Sequence, residues 1–435
     1  MSEEKRGLQY VKDIVAEVYL LNDPYIVKVV CASVISHRLP SDPLWLFIVS
    51  PSGGGKTEFI NAISKVQGVN PVSTLTSHTF ISGAKVGAKE ASLLLRIQNG
   101  IITFEDFTTL LNERREELSV IMGQLRAIYG GTFSKPFGTG ETIEWNGKIT
   151  ILAGATYAIY ALRQQYAAMG ERFLIYAMVQ PDSIDAARRA MQNQESGKMK
   201  DMRAKVNEAF VHYLDKEITI PEKIPHITEE LREELLALAE LATRARSGVE
   251  RDWRSPNKDI VEVNPPEMPT RFSGQLQTTA KALMVINNHE GIDGLMQEDN
   301  NILYKMTLDS ITKTRRIAMQ ELAKYEYIET SGMATKMSFP TSTVRRWLED
   351  LTALEIVDRI KGSGPQGDKW KMRPHYRAMM QKFEGIKELA VELTEYNAED
   401  EEDSASNTPI DDFSYPESEQ LMEDVRSVFG DQPII

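Results

Sequence analysis

The segment SPSGGGKT at 50–57 gathers residues whose types and spacing suit phosphate binding. Consecutive glycines (Gly53, Gly54, Gly55), with Ser52 in the same turn, let successive backbone N–H groups face an anion without Cβ clashes. Lys56 has the reach and charge for the β- and γ-phosphates of a nucleoside triphosphate, and the Thr57 hydroxyl suits a Mg²⁺ ligand. Such a cradle also needs a carboxylate at the end of a neighbouring strand, to organise the metal's shell and orient the attacking water. Glu105 and Asp106 end the apolar run GIITFED and are the candidates. The reading leans toward Asp106 for metal and hydrolysis together, with Glu105 in support; residue order alone leaves the division open. Thr156 ends the run KITILAGAT and would set a hydroxyl beside the γ-phosphate, where it positions water.

These residues must be carried by strands that end together. LWLFIVS precedes the glycines and TEFINAISKV follows at helical period, giving strand, loop and helix. GIITFED (100–106), KITILAGAT (148–156) and RFLIYAMV (172–179) read as further strands, with helical stretches such as 112–130 between them. Strands alternating with helices predict an α/β fold with a parallel sheet. Residues 7–39, 182–215, 227–247 and 271–288 carry helical patterns, and PNKDIVEVNPPEMP (256–269) reads as a Pro-rich connector. The expected divisions are N-terminal helices at 1–39, a P-loop core at 40–180, a helical lid at 181–290, a smaller domain at 300–376 and an acidic disordered tail at 390–435.

With these motifs in view, the chain resembles the AAA+ superfamily, and within it the minichromosome-maintenance-like helicases of cells and mobile elements. GIITFEDFTTL has that group's glycine, apolar run, two acids and Phe, and TILAGAT resembles its sensor-1 strand. The segment TFSKPFGTGETIEWNGK (132–148) reads as a β-hairpin before sensor 1. In such helicases that hairpin enters a central pore, which maps Lys135 onto a DNA contact. MGERFLIY is similar to the motif that lends an arginine finger to the next subunit, mapping onto Arg172, and PTRFSGQLQTTAKALMVI (269–286) resembles the lid helix whose sensor-2 arginine maps onto Arg271. The resemblance covers about residues 40–290. Ser50 stands where the cradle consensus has Gly, and the two acids come in reversed order. The resemblance implies ATP with Mg²⁺ as cofactors and a homo-oligomer, expected to be a hexameric ring, with shared active sites. The physics of Arg172 agrees: phosphoryl transfer spreads charge over the γ-phosphate oxygens, and an arginine fork from a neighbour stabilises it.

Residues 304–373 read as a winged helix-turn-helix: a helix, a turn at Pro340, and a second helix opened by Thr341 or Ser342 as N-cap. Two short strands, IVDRI and KWKM, then flank the Gly-rich loop KGSGPQGD. Ser342, Thr343, Arg345 and Arg346 would face DNA from the helix, and Lys361, Lys369 and Lys371 from the wing, with Trp370 at its root. Glu349 and Asp350 on the same helix oppose that reading.

The chain holds 63 acids and 50 bases; from Ala390 onward stand 14 acids and one base, leaving 49 of each before it. A neutral body means that any DNA binding must come from local basic elements. In the tail, Leu421, Val425 and Phe429 recur at helical spacing after Pro416, suiting a short docking helix for a replication partner. Cys31, the single cysteine, lies in an apolar run and reads as core. With no secretory start and no membrane-length apolar run, a cytoplasmic protein without membrane partners is expected. The leading expectation is a DNA helicase acting in phage or mobile-element replication, by single strand in the pore, duplex at the winged helix, or both. A replication initiator or helicase loader, and an ATP-controlled DNA-binding regulator, are the alternatives.

Overall fold

The computed structural model describes residues 6–82, 92–137, 140, 142–160, 172–252, 254–362, 367–383 and 386, with the backbone alone at 111 and 112. All lie within one unit, Met1–Val391. The tail beyond it, with Leu421, Val425 and Phe429, lies outside the described residues.

Along the chain come strands β1 (Trp45–Val49), β2 (Val69–Val72), β3 (Gly100–Phe104), β4 (Thr132–Pro136), β5 (Thr142–Asn146), β6 (Ile149–Ala155) and β7 (Leu174–Ala177). Five of them form one sheet in the order β2-β3-β6-β1-β7. Every pairing in it is parallel. The α/β class with a parallel central sheet therefore stands as expected. β1, β3, β6 and β7 are buried throughout, as strands covered on both faces must be. Trp45, Phe47 and Val49 alternate onto one face, where they join Ile151, Ala153, Ile175 and the apolar side of helix Arg115–Tyr129. Leu46 and Ile48 point to the other face, toward helices Ile26–Arg38 and Lys56–Ala62. Helix Ile26–Arg38 is buried along most of its length, Cys31 included, and packs on helix Thr270–His289. Burial pushes the Cys31 thiol well up, so it stays protonated core.

β4 and β5 form a separate antiparallel hairpin, rooted by Trp145, whose indole N–H donates to the Gln98 carbonyl at 3.0 Å. Further on, β8 (Val249–Arg251) and β9 (Ile260–Val263) pair as a two-stranded ribbon. β9 lies inside the stretch read as a connector. Its partner is a three-residue strand, so no local run announced the pairing. β10 (Ile328–Glu329), β11 (Val357–Ile360) and β12 (Lys369–Met372) make a small antiparallel sheet ordered β10-β12-β11. It accompanies helices Lys313–Ala323, Thr330–Met337 and Thr341–Ala353. The cap of the last of these helices is not the Thr341 or Ser342 expected. Pro340 is the N-cap of the last helix, with no side-chain capping bond, and Thr341 and Ser342 fall in its first turn. Proline's fixed φ starts that turn without a hydroxyl cap.

The ribbon holds the C-terminal helices. Arg251, 5% exposed in its side chain, reaches Asp350 at 2.7 Å and Glu349 at 3.5 Å and donates to the Arg346 carbonyl at 3.0 Å. Buried Arg315 donates to the carbonyls of Ala245 and Ser247 and lies 3.8 Å from Asp350. Removing Arg251 takes the nearest cation from Asp350, which keeps Arg315 at 3.8 Å, while Glu349 keeps Arg345 at 3.4 Å and Arg359 at 3.7 Å. Arg251→Ala should therefore cost about 1–3 kcal/mol, the scale for leaving part-buried hydrogen-bonding groups unmatched. Chemical denaturation monitored by the C-terminal tryptophans would read this loss; an unchanged midpoint would show the clamp to be idle. Among the described residues, no helix is long and apolar enough to cross a membrane.

Candidate active site

Because the sheet is parallel, β1, β3 and β6 end on one edge, where open α/β sheets place their ligand crevice. The loop after β1 begins at buried Ser50, whose amide donates to the Ala155 carbonyl at 3.1 Å and ties the loop to the end of β6. Gly53 and Gly55 take φ of +79° and +84°, and an added Cβ at either would meet no atom within 4 Å. Glycine is needed there for backbone conformation, not for room. Gly54 is the opposite case: a Cβ would come within 2.6 Å of Gln180 Oε1 and 2.8 Å of Ser50 Oγ. Ser50, the departure from the Gly consensus, thus packs beneath the turn.

Lys56 opens helix Lys56–Ala62 and is 5% exposed. Among the described residues its ammonium has neither a hydrogen-bond acceptor nor an ion-pair partner. Its stem is packed while the ammonium keeps contact with solvent, which leaves the charge available to an anion. Thr57 follows, half-buried, on the first turn of the helix. Glu58 is occupied elsewhere: it accepts from the Tyr19 hydroxyl at 2.7 Å and pairs with Arg203 at 2.5 Å.

The two acids separate in role. Glu105 is exposed and accepts from Asn61 Nδ2 at 3.0 Å, a residue on the helix that Lys56 begins. Asp106 caps the 3₁₀ turn Phe107–Asn112, its Oδ1 accepting from the Thr108 amide at 3.0 Å and from the Thr108 hydroxyl. Asp106 thus has only Oδ2 uncommitted by that turn, and Glu105 contacts the helix that follows the loop. Thr156 Oγ1 donates to Thr108 Oγ1 at 3.5 Å, linking β6 to the Asp106 turn. Between these strands the fit is close. A Cβ on Gly154 would run into the Glu105 carbonyl oxygen, so only glycine lets the chain leaving β3 pass over β6. Asn61 and Thr108 were not singled out from sequence. An acid followed two residues later by Thr is a capping pattern and was available for Thr108; nothing local marks Asn61.

Comparison with protein-family models and with curated proteins finds no match.

Arg172 and Arg271 meet each other but not the loop. Leu174 pairs with Leu46, so Arg172 precedes β7 at the start of the sheet, opposite Leu44. Lys56 lies past the other end, about 20 Å away along the strands at roughly 3.3 Å per residue. The Arg172 guanidinium stands over the Tyr129 ring at 5.8 Å, and its carbonyl accepts from Gln275 on helix Thr270–His289. Arg271 is on the same helix, paired with Glu267 at 2.5 Å. Burial, then the charges of Arg271 and Arg126, pull the Arg172 pKa down to about 10.

Lys135 does not serve as an outward-pointing contact. It pairs across from Ile143, and its ammonium donates to the carbonyls of Ser77 at 3.2 Å and Ile81 at 3.0 Å. Two acceptors and partial burial make it a tether between the hairpin and the 75–82 segment, which corrects the DNA-contact expectation. The hairpin tip at 138, 139 and 141 lies outside the described residues. On the C-terminal helix, Arg345 is bound to Glu349 at 3.4 Å and Asp368 at 3.2 Å, and Asp368 also holds Arg359. Arg346 donates to Thr343 Oγ1 at 3.2 Å. Lys369 sits over the Tyr327 ring at 5.0 Å. Lys361 and Lys371 make no ion pair among the described residues. The acids that argued against a DNA contact, Glu349 and Asp350, are drawn inward by Arg251 and Arg359.

Proposed function

We propose that this chain is an ATP-hydrolysing AAA+ motor that acts on DNA as a homo-oligomer, with a P-loop at 50–57 and a winged helix at its C-terminal end. The observation that carries the reading is Lys56: a packed side chain whose ammonium has no partner among the described residues, beside a glycine turn at the end of a parallel sheet whose next strands end in Thr156 and Glu105-Asp106. The residues fit ATP with Mg²⁺. Open glycines leave backbone amides for phosphate, Lys56 supplies the missing countercharge, and Thr57 with one oxygen of Asp106 offers hard oxygen ligands. The metal would neutralise phosphate charge. Glu105, exposed and steered by Asn61, is the group suited to take a proton from water. Arg172 and Arg271, grouped on the far edge of the sheet, suit the active site of an adjoining copy.

A forked duplex tests the reading. Wild-type protein with ATP should displace the strand, and Lys56→Ala and Arg172→Ala should not. Hydrolysis without displacement would reject the stand-alone helicase. One observation favours a second reading of that kind. With Lys135 tethered to carbonyls, the hairpin loses its named pore cation, which suits an initiator or loader that remodels duplex through Lys361, Lys369 and Lys371.

A further inference from the structure

We infer that Thr108 is a positioning residue that fixes the direction of a hydroxyl relay from Asp106 to Thr156, so that Thr156 accepts a hydrogen bond from water instead of donating one to phosphate. The inference rests on the nucleotide reading of this site. Both the amide and the hydroxyl of Thr108 donate to one oxygen, Asp106 Oδ1, and Thr109 Oγ1 pins the turn by donating to the Asp106 carbonyl at 2.9 Å. A carboxylate only accepts, and a hydroxyl has a single proton. The Thr108 proton is therefore committed to Asp106, and its oxygen is left as an acceptor. Thr156 Oγ1, 3.5 Å away, fills that role and so spends its own proton on Thr108. What remains on Thr156 is lone-pair density beside the strand ends. Phosphate oxygens are acceptors and find no donor there; a water can donate to it. Each bond polarises the next, so the charge on Asp106 sets the sense of the chain. The same two bonds on Oδ1 leave Oδ2 of Asp106 for the metal.

The test uses full-length protein with Thr108→Val, Thr108→Ser and Thr156→Val. Two properties are read: steady-state ATP hydrolysis, and calorimetric binding of a slowly hydrolysed ATP analogue with and without Mg²⁺. Thr108→Val keeps the backbone cap and removes the relay. It should lower kcat about 10–100-fold, the usual scale for a partner behind a ligand, with KM nearly unchanged. It should cut the Mg²⁺-dependent gain in analogue affinity similarly, leaving metal-free affinity intact. Thr108→Ser should restore both. Thr156→Val should lower kcat alone. The inference is overturned if Thr108→Val keeps wild-type kcat and Mg²⁺ dependence, if Thr108→Ser fails as badly as Thr108→Val, or if metal-free affinity falls in step. Wild-type protein that binds no analogue under either condition would instead remove the nucleotide reading itself.

Discussion

Replacing Lys56 by Met is expected to remove hydrolysis and spare the fold. Hydrolysis should fall by roughly 10³-fold or more, the scale for losing a charge that stabilises phosphoryl transfer. The protein without nucleotide should meanwhile keep most of its stability. Lys56 is 5% exposed and meets no carboxylate or carbonyl acceptor among the described residues. Methionine, of similar length, keeps the packing of the stem and gives up only the charge at its tip. The change in stability should therefore stay within about 1 kcal/mol, since no partner is left unmatched. Thermal unfolding reads both effects. Wild-type protein should gain about 2.7 kcal/mol from ligand at a hundred times its Kd, and the variant none. A variant that melts lower than wild type without nucleotide, yet keeps the nucleotide-induced rise, would mean that Lys56 is an ordinary packed side chain. In that case the cradle belongs to some other function.

The loop and the strand ends were legible because their signals are short-range. SPSGGGKT, GIITFED and KITILAGAT each carry strand, turn and polar terminus within a few residues, and parallel pairing brings their ends together. Register was not legible. Nothing in TILAGAT says that Gly154 must clear the Glu105 carbonyl, nor that Thr156 will sit beside Thr108. Long-range polar contacts were equally hidden. Asp23 and Asp309, more than a hundred positions apart in sequence, both grip the end of β7. Asp23 accepts from the Val179 amide at 2.8 Å and the Tyr176 hydroxyl at 2.6 Å, and Asp309 accepts from the Ala177 amide at 2.8 Å. Asp309 also pairs with Lys305 at 2.9 Å and with Arg316. The strand that runs into Gln180, against Gly54, is thereby bonded to the helix Lys313–Ala323. Buried carboxylates of this kind are tolerated only when every oxygen is paired, so they fix the C-terminal helices to the sheet with little freedom to slide. Lys135 shows the converse limit: a basic residue in a hairpin looks the same in sequence whether it faces solvent or two carbonyls.

Arg172→Ala should lose hydrolysis by roughly 10³-fold, as removal of an arginine finger does, and the loss should be repaired by a protein that is itself inactive. The sheet dictates this. Arg172 precedes β7 at the edge opposite the loop, and Arg271 shares that edge through the helix that bonds to the Arg172 carbonyl. Neither can reach Lys56 of its own chain without breaking that bond and crossing the length of β1. A head-to-tail contact between copies does bring one copy's far edge to the next copy's loop. Several guanidiniums held close, with Arg172 already depressed to about 10, gain most from a polyanion placed against them. In a mixture, an Arg172→Ala subunit contributes an intact loop and a Lys56→Met subunit an intact Arg172. Random assembly at equal ratio makes about one interface in four complete, so the mixture should recover about a quarter of the wild-type rate. Hydrolysis by the mixture that never exceeds the mean of the two separate variants would place Arg172 in the service of its own chain or of folding alone. Rate against mixing ratio decides between them: a shared site gives a curve that peaks near equal amounts and falls to zero at both ends, because each complete site needs one residue from each parent.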